Sequence, residues 1–166
     1  MSIKRMGAVA LAVSMIVQAG AGAQPAGTMQ GSALEHTPAS SIAVIDGANL
    51  ALPAVMTGGA AYFGKWRDRP ANIQPGPVVV FLHGSSGLKL AAIEDWQKWL
   101  AGLGIASIAP DSFALPDRIT YTSPIDRKTY ERVHALRASE IGLALKALKQ
   151  TDWADPKRLV LAGTSE

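Results

Sequence analysis

The chain has 166 residues, no cysteine, and a formal charge of +3 from 16 basic and 13 acidic side chains. That length suits one domain, and the missing cysteine excludes disulfides, thiol nucleophiles and cysteine-ligated metals, so stability must come from a packed core. No run of Lys and Arg interleaved with aromatics occurs, so the charge gives no footprint for nucleic acid or an anionic membrane surface.

The N-terminus is a targeting signal by composition. Lys4 and Arg5 form a basic start, Met6 to Val17 is an apolar run interrupted by Ser14, and Ala21-Gly22-Ala23 satisfies the small-residue rule for cleavage before Gln24. The run is shorter than the roughly 20 residues that span a bilayer, so residues 1–23 are expected to be a signal peptide and the protein exported, to a bacterial periplasm. Removing Lys4 and Arg5 takes the formal charge from +3 to +1, so the basic balance belongs largely to the signal. Residues 24–41 are rich in Gly, Ala, Ser, Thr, Pro and Gln without periodicity and read as a disordered leader. Residues 42–166 are then the domain.

Two weakly patterned stretches, Ile42–Asp46 and Ala60–Trp66, are expected to be early strands, and the proline-rich stretch from Arg67 to Pro77 a loop. Val78 to Leu82 is a continuous apolar run, short enough for a strand buried on both faces. Ala91 to Leu103 carries Ile93, Trp96, Leu100 and Leu103 at helical spacing, with Gly104 at the C-terminal cap. Ile105 to Ala109 is a second buried strand, followed by a loop from Asp111 to Asp126. A long helix is predicted from Arg127 to Lys149. Its inner face is Tyr130, Val133, Leu136, Ile141, Leu145 and Leu148, and its outer face Arg132, Arg137, Lys146 and Lys149. Arg158 to Ala162 is a third strand. Alternating strands and helices argue for an α/β fold, with mostly parallel strands and helices on both faces of the sheet.

Chemistry concentrates at the ends of these strands. Gly163-Thr164-Ser165 follows the third strand directly, the setting of a nucleophile elbow, where a sharp turn lifts a serine hydroxyl clear of a sheet. Small neighbours are needed because that turn brings strand and helix together. An oxyanion needs two convergent backbone N–H donors. One is expected from Glu166, the residue after the serine. The other is expected from His83-Gly84-Ser85-Ser86-Gly87, with Ser85 the candidate and Ser86 the alternative. His83 precedes the serine at a strand end and reads as an anchor of its turn. His134 reads as a surface or half-buried histidine, His36 as part of the leader, and Asp111 as a loop or cap residue. Trp96, Trp99 and Trp153 read as packing residues. Three scattered histidines without carboxylates at ligand spacing give no metal site.

Val78–Gly87, Ala109-Pro110-Asp111-Ser112, and Asp155-Pro156-Lys157-Arg158 leading into Leu161-Ala162-Gly163-Thr164-Ser165 together resemble the α/β-hydrolase superfamily, and within it the dienelactone hydrolase-like branch. The resemblance covers roughly residues 76–166. It implies a hydrolase sheet, hydrolysis of a small carboxylic ester or lactone, no cofactor, Ser165 as nucleophile, and the Ser85 and Glu166 amides as oxyanion donors. Dienelactone hydrolases proper carry cysteine where this chain has Ser165, which points toward a serine esterase or peptidase-like relative.

The acid and histidine that follow the nucleophile in such triads have no counterpart after Ser165. The expectation is therefore the N-terminal portion of a hydrolase domain, inactive by itself, whose last strand lies open to edge association. The rival expectation is a secreted non-catalytic binding or scaffold protein that keeps part of the same architecture.

Overall fold

The computed structural model describes residues 26–165. The expected signal peptide, leader residues Gln24 and Pro25, and Glu166 lie outside the described residues. In chain order the elements are β1 (Met29–Gln30), α1 (Pro38–Asp46), β2 (Asn49–Leu52), α2 (Ala54–Thr57), β3 (Tyr62–Lys65), β4 (Gly76–Leu82), α3 (Ala91–Gly102), β5 (Ala106–Ala109), β6 (Thr120–Tyr121), α4 (Arg127–Lys149) and β7 (Ala154–Gly163).

The main sheet has the order β3-β2-β5-β4-β7. β4 runs parallel to β5 and β7, whereas β2 runs antiparallel to both β3 and β5. The protein is thus α/β with a mixed sheet, in which the parallel pairs are those of β4 with β5 and β7. β1 and β6 form a separate antiparallel pair.

The period of two along β4 sorts its side chains to two faces. Val78 and Val80 join Leu50, Leu52, Ala106 and Ile108 in a core closed by Ala144 and Leu148 of α4. Phe81 points the other way and packs with Ala109 against Ile93 of α3, its ring 4.5 Å from Trp96. Helices therefore cover both faces, and the buried run Val78-Val79-Val80-Phe81 is explained by that double cover. Burying a side chain such as Val78 fully stabilises by roughly 1.5–3 kcal/mol.

α4 occupies the predicted span. Asp126 caps it by accepting from the Thr129 N–H at 2.9 Å, and Lys146 and Lys149 lie in its last turn against the negative end of the helix dipole. Its inner face differs from expectation. Val133, Leu136, Ala144 and Leu148 are buried, but so are Arg137 and Glu140, while Tyr130 is exposed. Arg137 is inside because it finds partners there. On α3, Ile93 and Leu100 face inward as predicted, whereas Leu103 and Trp99 are exposed and Gln97 is buried, donating to the Ser107 hydroxyl at 3.1 Å. Gly104, with φ of +81°, ends that helix in the left-handed conformation.

The N-terminal expectations need correction. Ile42–Asp46 belongs to helix α1, capped by Thr37, whose hydroxyl accepts from the Ser40 N–H while the Ser40 hydroxyl accepts from the Thr37 N–H. Ser40, Val44 and Ile45 are buried and Ile42 is exposed, which is a helical stripe and not an alternation. The leader is likewise structured over its described part. Residues 27–33 lie along 117–124 through the β1–β6 pair, the Gly27 N–H to Pro124 O bond of 2.8 Å, and the bridge between Ala33 and Arg118. Backbone pairing supplies what its polar composition could not. β2 has no counterpart among the predicted strands, although it sits between β3 and β5. The Ala60–Trp66 stretch does contain a strand, β3.

Candidate active site

β4 and β7 are paired in register to their ends, Leu82 against Gly163, and the Thr164 N–H donates to Leu82 O at 3.1 Å. Ser165 is the next residue. Its φ is +57°, a left-handed conformation that costs a residue with a Cβ on the order of 1 kcal/mol. The side chain is exposed at the C-terminal rim of the parallel strands, in a cleft of about 400 Å³ shared with His83, His134, Arg137 and Ile141.

The turn after β4 comes up against this serine. A Cβ placed on Gly84 would stand 3.4 Å from the Ser165 Oγ and closer still to its Cβ. Only glycine permits that approach. Ser85 and Ser86 are exposed beyond it and line a second cleft, of about 470 Å³, with Lys65, Asp111 and Phe113. The structure thus brings Ser165 to the residue preceding Ser85, and Glu166 lies outside the described residues.

His83 anchors the turn. Its side chain is buried, with Nδ1 2.7 Å from Gly84 O and Nε2 3.2 Å from the Ser112 backbone nitrogen. A carbonyl can only accept and an amide N–H can only donate, so Nδ1 carries the proton and Nε2 accepts. Burial pushes the imidazole down to about 4; its bond to Gly84 opposes this shift and the nearby Arg137 charge adds to it. A neutral ring with both nitrogens engaged cannot serve as a base for Ser165. The Phe113 ring stacks on His83 at 5.8 Å and carries the Arg118 guanidinium 4.7 Å from its own centroid.

Behind the turn lies a buried polar network. Glu140 accepts from the Ser112 hydroxyl at 2.6 Å and from Arg137, and its Oε1 is 3.3 Å from His36 Nε2. Arg118 Nε donates to Ser112 Oγ at 2.7 Å, and Arg137 Nη2 donates to the carbonyl oxygen of His83. Burial pushes the Glu140 carboxyl up, opposed first by the Arg137 charge and then by the Ser112 hydrogen bond. The cluster joins the N-terminal segment, α4, the 3-10 turn Ser112–Ala114 and the end of β4.

Sequence reasoning missed Arg137 and Glu140, and with them the part played by His36, which is packed against Glu140 and not in a leader. The signal was present: Arg137 and Glu140 fall on the helical stripe of Val133, Ala144 and Leu148, where a solvated pair has no place. Asp111 does act as a cap, accepting from the Phe113 N–H at 3.1 Å. His134 is exposed. Trp153 packs on Trp66 with centroids 5.9 Å apart. Among the described residues no three His, Asp or Glu side chains converge as metal ligands.

No protein-family model and no curated protein matches the chain.

Proposed function

We propose that this chain carries the nucleophile side of a serine hydrolase of α/β-hydrolase type, of the dienelactone hydrolase-like branch, acting on a small carboxylic ester or lactone after export to the periplasm. One observation carries the reading. Ser165 stands in a left-handed conformation at the end of a parallel strand and is touched by the glycine turn that ends the neighbouring parallel strand. That juxtaposition suits acyl transfer, which needs a hydroxyl clear of the sheet and backbone donors directed at the developing oxyanion.

In this reading Ser165 attacks the ester carbonyl as its proton passes to a base, and the Ser85 and Glu166 amides hold the tetrahedral oxyanion. The intermediate collapses to an acyl-enzyme as the ester C–O bond breaks and the alcohol leaves with that proton, and water, deprotonated by the same base, releases the acid and restores the serine. Neither His83 nor His36 is that base, since both are engaged in the buried network. The mostly parallel sheet of a hydrolase would be an extension of β5, β4 and β7.

The test is labelling by a fluorophosphonate, with the modified residue located by mass spectrometry, on the product of the whole reading frame that encodes Ser165. Adduct at Ser165, lost in Ser165→Ala together with ester turnover, supports the proposal. A folded protein that neither labels nor turns over esters rejects it in favour of the non-catalytic binding role. That second reading draws on the exposed side chains of Val160 and Leu161 along the edge strand β7.

A further inference from the structure

We propose that Arg137, locked by Glu140, is a positioning residue that fixes the His83–Gly84 peptide plane on which the Gly84–Ser85 turn is built. The proposal rests on the hydrolase reading of Ser165 for its functional consequence, and on the geometry of two peptide planes for its cause.

In a trans peptide the C=O and the following N–H lie in one plane and point in opposite directions. Fixing a carbonyl oxygen therefore fixes the heading of the next residue's N–H. The Gly84 N–H shares its plane with His83 O, and His83 O accepts from Arg137 Nη2. The Ser85 N–H shares its plane with Gly84 O, which accepts from His83 Nδ1 at 2.7 Å and from the Gly87 N–H at 3.0 Å. Both planes leading to the candidate donor are thus pinned from behind. The outermost pin comes from α4, an element separate from the turn.

A long arginine would not hold one heading unaided. Here it is held, because Arg137 donates to Glu140 one helical turn away, and Glu140 is fixed in turn by Ser112 and His36. Arginine suits the task better than lysine, since a planar fork can bond carboxylate and carbonyl together. Arg137 and Glu140 are almost fully buried. Such a pair is weak evidence for stability, because desolvation offsets its attraction, so its placement beside the turn calls for another account. Positioning supplies one: a donor displaced by an ångström loses much of its hold on a developing oxyanion.

Removing Arg137 alone would strand a buried carboxylate, so the informative variant is Arg137→Met combined with Glu140→Gln, with Arg137→Lys alongside. Two readouts are taken on the full-length protein. The first is the amide hydrogen exchange of Gly87 and Ser112, whose N–H groups bond to Gly84 O and His83 Nε2, relative to Val79 and Val80 in β4. The second is the second-order rate of fluorophosphonate labelling at Ser165. The expected result is exchange at Gly87 and Ser112 faster by at least about tenfold with Val79 and Val80 unchanged, and labelling slower by on the order of ten- to a hundredfold, with partial recovery in Arg137→Lys. A folded double variant with unchanged exchange at the turn, or with exchange raised equally along β4, overturns the positioning role. The local exchange effect in the double variant, together with a wild-type protein that never labels, keeps Arg137 as the holder of the turn and rejects the hydrolase reading instead.

Discussion

Gly84 and Ser165 meet at the ends of neighbouring parallel strands, so closely that a methyl group built on Gly84 would lie 2.9 Å from the Ser165 Cβ and 2.8 Å from Thr164 O. Neither neighbour is a flexible side-chain end. One is backbone and the other is the first carbon of the proposed nucleophile, so neither can move aside without shifting the turn that carries it.

Gly84→Ala is therefore expected to separate the two strand ends. The cost should fall in the usual range for a methyl forced into a packed site, about 1–3 kcal/mol, and phosphonate labelling of Ser165 should drop with it. Urea denaturation of the variant beside the wild type measures the first, and mass spectrometry the second. An unchanged midpoint would mean that the strand ends do not approach as described.

How much of this could be read from the residues alone follows from where the stabilising partners lie. β4, α3, β5, α4 and β7 are each specified by a local pattern strong enough to survive without context, such as the four-residue buried run in β4 or the long apolar stripe of α4. β2 is only Asn49–Leu52, without a β-branched residue, and is a strand because β3 and β5 flank it. α1 was signalled by Thr37-Pro38 at its start, a cap followed by proline at the first helical position, but the β-branched residues Ile42, Val44 and Ile45 mimic a strand. At the site, the placement of Ser165 and the glycine turn at strand ends was legible because each directly follows a strand with a strong local pattern. Arg137 and Glu140 were legible only by their place on the apolar stripe of α4, and His36 not at all, because a polar side chain looks solvated until its partners from distant segments are known.

The buried neutral state of His83 predicts a pH dependence of stability. Its ordinary value of 6.5 is lowered to about 4 in the folded protein, so the folded state binds fewer protons than the unfolded chain between those limits. Stability from this group is fully present above pH 6.5 and is lost as pH falls toward 4, by about 3 kcal/mol in total. His83→Gln should be less stable at pH 7.5 yet lose less between pH 7 and pH 4 than the wild type. Denaturation curves across that range check it, and parallel slopes for the two proteins would reject it.

The placement of β2 in the core and of α1 as a helix makes a paired prediction. Leu50 is 1% exposed and sits among Val78, Val80 and Ile108, whereas Ile42 is 64% exposed on the outer side of α1. Leu50→Ala should cost about 2–5 kcal/mol, while Ile42→Ala should stay within about 0.5 kcal/mol of the wild type and could gain slightly from alanine's helix propensity. Were Ile42 in a buried strand the order of the two costs would close up, so comparing the two midpoints decides between the arrangements.

The last prediction concerns the edge of the sheet. Among the described residues β7 pairs with β4 along one side only, and at its centre Val160 and Leu161 are 57% and 52% exposed, one toward each face. Unpaired N–H and C=O groups on the open side offer a template for another strand, and apolar side chains on both faces give that partner something to bury. Lys157 and Arg158 lie near the start of the strand and oppose such pairing there, but nothing charged follows them before Gly163. The described chain is accordingly expected to self-associate with rising concentration, and Leu161→Lys should suppress this while leaving the buried core untouched. Sedimentation velocity over a concentration series is the measurement. A wild-type chain that stays monomeric throughout would show that the edge is protected, and an unaltered series in Leu161→Lys would show that association runs through some other surface.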